Sequence, residues 1–183
     1  MPLDKLFSSV KAYLAENYID PDICQKYARR IVEPNTKILV QELDSDKTYS
    51  GQEEGTRPRA AEKSRLEHIV GHLDETFSQA LLRKIDDRGL KDSDVYHRAN
   101  IDRRLFSKIR SDSGYRPGKS TAVSLALALR LNLDETKDLL LRAGFALSNS
   151  SKSDVIIQYF IENKNFNIYE INEVLLHFGE KEL

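Results

Sequence analysis

From Asp74 to Phe178 the apolar residues recur at three- and four-residue spacing in a succession of short runs, and a helix-start residue stands before nearly every run. Asp74 precedes a helix expected over 75–87 with Phe77, Leu81, Leu82 and Ile85 as its buried face, and Gly89 closes it. Further helices are expected over 92–98, 102–110, 119–130, 134–143, 153–162 and 168–178. Their start signals are Asp92 or Ser93, Asp102, Ser120, Asp134 with Glu135, and Ser153; Asn100, Asn132, Gly144 and Gly179 serve as exits. Connections this short confine the segment to a compact all-helical packing. Five prolines and eight glycines in 183 residues agree with that reading.

The N-terminal part is organised differently. Leu3, Leu6, Phe7, Val10 and Leu14 form one stripe of a helix ending near Asn17, and such a stripe requires a partner. Asp20-Pro21 opens a second helix that Pro34 ends. The run 36–43 (TKILVQEL) is too short for its periodicity to separate strand from helix. Across 44–60 apolar residues nearly vanish, so the chain there lacks the surface to offset its own entropy. The expected organisation is a helical N-terminal segment over 1–43, a linker over 44–60, and a helical domain over 61–183.

The net charge of -1 conceals a strong local bias. Between Tyr96 and Ser120 stand Arg98, Arg103, Arg104, Lys108, Arg110, Arg116 and Lys119 against only Asp102 and Asp112. The same stretch contains two short helices joined by the tight turn Ala99-Asn100-Ile101, and Asn tolerates the left-handed backbone such a turn demands. If Leu105, Phe106 and Ile109 face inward, Arg103, Arg104, Ser107, Lys108 and Arg110 face solvent. Arginine can grip guanine with two parallel hydrogen bonds, and either cation neutralises phosphate. Arg103, Arg104 and Ser107 are therefore candidates for base reading. Arg98, Lys108, Arg116 and Lys119 are candidates for backbone contact, with Arg110 on the same face and Tyr115 able to reach along the sugar-phosphate backbone.

The order LKDSDVYHRANIDRRLFSKIRSD, GYRPGKS, TAVSLALALRLN, LDETKDLLLRAGF resembles a lambda-repressor-like (Xre-type) helix-turn-helix domain. The resemblance spans Thr76 to Phe145, about 70 of the 183 residues. It implies an all-α, lambda-repressor-like bundle, followed here by two extra C-terminal helices. It also implies binding to double-stranded DNA, commonly as a homodimer on a palindromic site, and a role in transcription regulation. One departure stands out: where the family often carries Gln or small polar residues, Asp92 and Asp94 precede Val95, and Asp102 precedes Arg103. Asp102 reads most simply as the cap of its own helix.

Other chemistries find no frame. His68 and His72 are four apart, but Ile69, Val70 and Gly71 lie between them, so a packed or surface histidine is the better account than zinc. Cys24 is the only cysteine, which leaves no disulfide and no thiolate cluster and points to a reducing compartment. No nucleophile with a base, and no glycine-rich phosphate loop, is recognisable. The expectation is a cytoplasmic, non-enzymatic protein with no cofactor or metal, and no run approaches the roughly 18 apolar residues of a membrane span. The competing reading is a helical adaptor that keeps the fold and turns Arg103, Arg104 and Tyr115 to an acidic protein partner. The N-terminal segment or the C-terminal helices offer a further protein contact.

Overall fold

The structure is a computed structural model that describes residues 2–23 and 75–183. The chain divides into one compact unit, Met1–Ile19 with Glu75–Leu183, and a second, Asp20–Asp74. Of the second unit only residues 20–23 are described. There the Asp20 carboxylate caps the opening of a helix by accepting from the Asp22 N–H, as the Asp-Pro signal leads one to expect. The linker over 44–60, the run 36–43, Cys24, His68 and His72 lie outside the described residues.

Among the described residues the first unit is all-α and contains no strand. Its helices are α1 (Leu3–Asn17), α2 (Phe77–Asp87), α3 (Asp92–Arg98), α4 (Arg103–Ser111), α5 (Lys119–Ala128), α6 (Leu133–Arg142), α7 (Lys152–Glu162) and α8 (Ile168–His177). No helix among them is long and apolar enough to cross a membrane. The centre is α5, in which every residue from Ala122 to Ala128 is buried. A helix apolar on all sides must be surrounded, and α3 and α6 both pack on it. In turn α2 packs on α4 and α6, and α7 packs on α6 and α8.

Whether the N-terminal stripe meets the rest of the chain cannot be read from spacing alone. It does: α1 packs on α7, burying Leu6 and Val10 in the common core. Phe7 stacks on His177 of α8 with ring centroids 4.1 Å apart. Tyr13 meets Tyr159 edge to face and donates its hydroxyl to Glu162 at 2.8 Å. Withdrawal from water, together with this carboxylate acceptor, pushes the Tyr13 phenol up to about 12.

Several helix starts fall beside the expected ones, for reasons written in the cap geometry. Thr76, rather than Asp74, caps α2, because Thr76 and Gln79 satisfy each other's backbone N–H groups reciprocally. Asn132 begins α6 with Glu135 in the same arrangement; it is a start, where the spacing predicts an exit. Burial pushes the Glu135 carboxyl up, but the Asn132 N–H and the guanidinium of Arg88 outweigh it and hold Glu135 below its ordinary value. Gly118 and Ser151 take the caps expected at Ser120 and Ser153.

Helix ends share one device. After α2, α3, α5, α6, α7 and α8 a residue at positive φ turns the chain, and the next N–H bonds back to a carbonyl five residues earlier, as Leu131 does to Ala126. Gly89, Gly144 and Gly179 fill this slot without steric cost. Asn100, Arg130 and Lys164 fill it with φ of 52°, 52° and 54°. For a side chain with a Cβ that conformation costs about 1–2 kcal/mol. The apolar pattern predicts Arg130 as the last residue of α5; it stands past the end.

Candidate nucleic-acid interface

The site is built on α3, α4 and the loop to α5. Residues 99–102 join α3 to α4, with Ala99 buried and Asn100 in the left-handed conformation expected of it. Asp102 is the N-cap of α4 and accepts from the backbone N–H of Arg104, so its carboxylate serves its own helix. Phe106 and Ile109 anchor α4 in the core and Leu105 is half-buried against it. The opposite face carries Arg103, Arg104, Ser107, Lys108 and Arg110, all exposed.

These cations are not equivalent. Arg110 donates to Asp92 at 2.7 Å, joining the end of α4 to the start of α3. That pairing accounts for a carboxylate at the start of α3; Asp94 stays exposed, with only a long contact from Ser93. Lys108 places its ammonium 4.8 Å from the Tyr115 ring centroid, a cation–π contact that holds the half-buried Tyr115 against α4. The loop itself is pinned by Asp112, whose side chain accepts from Gly114 and whose carbonyl accepts from Tyr115.

Lys119 is the most committed of the set. Its ammonium donates to Asp154 at 2.6 Å, and the Asp154 side chain is only 3% exposed. The pair ties the start of α5 to the start of α7. By contrast Arg98, Arg103, Arg104 and Arg116 are exposed and have no ion-pair partner among the described residues. The expected set of nine thus separates into four unneutralised arginines, the polar Ser107, the stacked Lys108 and Tyr115, and two cations already paired within the protein.

Among the described residues no group of three His, Cys, Asp or Glu side chains converges. His97 lies against Tyr96, and His177 lies between Phe7 and Phe178. A separate concavity of about 540 Å³ opens between the C-terminal ends of α3 and α5 and the approach to α8. Its walls carry Arg98, Arg130, Lys164 and Tyr169, and only Arg98 stands out in the sequence. The signal for the other cations was present in the chain: a basic residue in the slot after a helix where glycine or asparagine is usual. No protein-family model, curated protein or solved structure matches this chain.

Proposed function

We propose that residues 76–145 are a lambda-repressor-like, Xre-type DNA-binding domain, and that the protein is a sequence-specific transcriptional regulator. The observation that carries this reading is the outer face of α4. It sets two unneutralised arginines, Arg103 and Arg104, beside the small polar Ser107 on a helix fixed from behind by Phe106 and Ile109 and from its start by Asp102. A short helix that offers polar side chains from a rigid seat is what entry into the major groove needs. Arg98 and Arg116 flank it as candidates for phosphate contact, and Lys108 can reach phosphate while resting on Tyr115.

The pairing of Arg110 with Asp92 supports the same reading, because it neutralises a half-buried carboxylate that would otherwise repel phosphate. Lys119 and Arg110 are assigned positioning roles. The protein-adaptor alternative draws on the same arginines, but Tyr115, which that reading would turn outward, is half-buried beneath Lys108.

The test is selection from a pool of random duplexes at moderate salt with the full chain, comparing wild type with Arg103→Ala/Arg104→Ala. Wild type is expected to enrich one sequence family. The double variant should bind about 10- to 100-fold more weakly for each arginine that reads a base, and the salt slope should fall by about one for each arginine that meets a phosphate. No enrichment by wild type would refute the DNA reading and make an acidic protein the partner to seek.

A further inference from the structure

The concavity between α3, α5 and α8 carries two cations, Arg130 and Lys164, and an exposed Tyr169 that the DNA reading leaves unused; Arg98, a phosphate-contact candidate in that reading, borders it as well. Three cations from three separate segments, Arg98, Arg130 and Lys164, line it, and none has an ion-pair partner among the described residues. Glu170, in the first turn of α8, is engaged by the side-chain amides of Asn165 and Asn167 at 2.8 and 3.0 Å. Glu162, on a smaller adjoining concavity, is engaged by the Tyr13 hydroxyl. Tyr169 stands on the wall with 69% of its surface exposed, beside half-buried Phe166.

A blander account exists for cations near helix ends: each C-terminus carries about half a negative charge, which attracts them. Three helix ends would offset about half of the three full charges, and none of the residues lining this concavity is acidic. That account also fails to explain the backbone. Arg130 and Lys164 occupy left-handed positions where three of the equivalent turns in this protein use glycine. A side chain kept at a strained position needs a use, and both of these strained cations border the same concavity.

We propose that this concavity is a binding site for a free nucleotide, with Arg130 and Lys164 taking phosphate oxygens and Tyr169 stacking on the base. Its volume lies within the range of about 300–1,000 Å³ typical of small-molecule sites. Cations beside an exposed aromatic ring match the two halves of such a ligand, a polyanion and a planar ring.

The test uses ADP and inorganic pyrophosphate as probes, titrated calorimetrically into the full chain. Wild type should bind ADP, pyrophosphate should displace it, and Tyr169→Ala should weaken ADP while sparing pyrophosphate. The decisive variant is Arg130→Gly/Lys164→Gly, which removes both cations and gives both turns the residue their backbone favours. Its thermal midpoint should therefore hold or rise, while ADP binding falls by at least about tenfold for each charged hydrogen bond removed. Absence of ADP binding by wild type, or equal binding by the glycine variant, would overturn the proposal. So would displacement of ADP by duplex DNA, which would make the concavity part of a polyanion surface. The DNA reading stands or falls separately, because Arg103→Ala/Arg104→Ala should leave ADP binding intact and the glycine variant should leave duplex selection intact.

Discussion

Replacing Lys119 by Met separates an internal strut from a nucleic-acid contact. Methionine keeps most of the apolar stem and removes the ammonium, so the perturbation falls on Asp154. That carboxylate is 3% exposed, and one oxygen accepts from both Lys119 at 2.6 Å and the Ser148 N–H at 2.9 Å. Leaving a buried charge without its partner costs about 3–5 kcal/mol. Two features reduce this: the Lys119 side chain is 36% exposed, so water can reach the vacated side, and the Ser148 N–H remains in place. The expected loss is about 2 kcal/mol, near the middle of the range for a hydrogen bond to a charged group. Adding Asp154→Asn should recover part of it, because the carboxamide carries no charge to strand. Urea unfolding of the four proteins of this cycle measures the coupling, with an unchanged slope showing that stability alone has moved. A loss below about 0.5 kcal/mol for Lys119→Met would refute the strut and return Lys119 to the candidates for DNA contact, since surface ion pairs are typically worth about that little.

Two further perturbations test the packing. Thr136 is fully buried and its hydroxyl has no hydrogen-bond partner among the described residues, so Thr136→Val, nearly identical in shape, should raise stability by about 1 kcal/mol; a loss in urea unfolding would mean that the hydroxyl is satisfied. Tyr13 titrates near 12 in the folded chain against 10.0 otherwise. The folded state therefore holds the phenolic proton more tightly: its contribution is complete below pH 10 and is lost as pH rises toward 12. Tyr13→Phe should flatten that part of the alkaline unfolding curve relative to wild type, and superimposable alkaline limbs would refute the link between α1 and α7 through Glu162.

The element pattern was legible because its causes are local. The stripe Leu3–Leu14 gave α1 its extent, and α3 runs over the expected residues. Where two capping residues lie close together, spacing alone chooses wrongly. Asp74 and Thr76 both precede the apolar run, yet only Thr76 has Gln79 three residues on to complete the reciprocal pair. Asn132 and Glu135 carry the same signature, although spacing makes Asn132 an exit and puts the start at Asp134 with Glu135. Tertiary partnership was not legible in that way. The stripe on α1 announced that it needed a surface, but Tyr159, against which Tyr13 packs, lies 146 residues further along the chain, and no local rule connects them.

Charge shows the same limit more sharply. Seven cations against two anions identified the basic region of the chain, but a count assigns every cation the same weight. Their availability depends on partners outside the counting window. Asp154 is 35 residues from Lys119, and Asp92 is 18 from Arg110. Neither pairing has the three- or four-residue spacing that marks a pair on one helix. Among the described cations left unpaired, Arg103 and Arg104 stand in one place, the outer face of α4, and Arg130 and Lys164 in a second, the concavity at the ends of α3 and α5, with Arg98 next to both in sequence or space. The second place was invisible to a count because Arg130 and Lys164 are 34 residues apart, and from Thr121 to Leu183 nine acidic residues stand against six basic ones. What distinguishes them is backbone conformation. A positive φ at a residue other than glycine is a physical mark that charge counting does not carry, and it is the reason to probe this concavity independently of the α4 face.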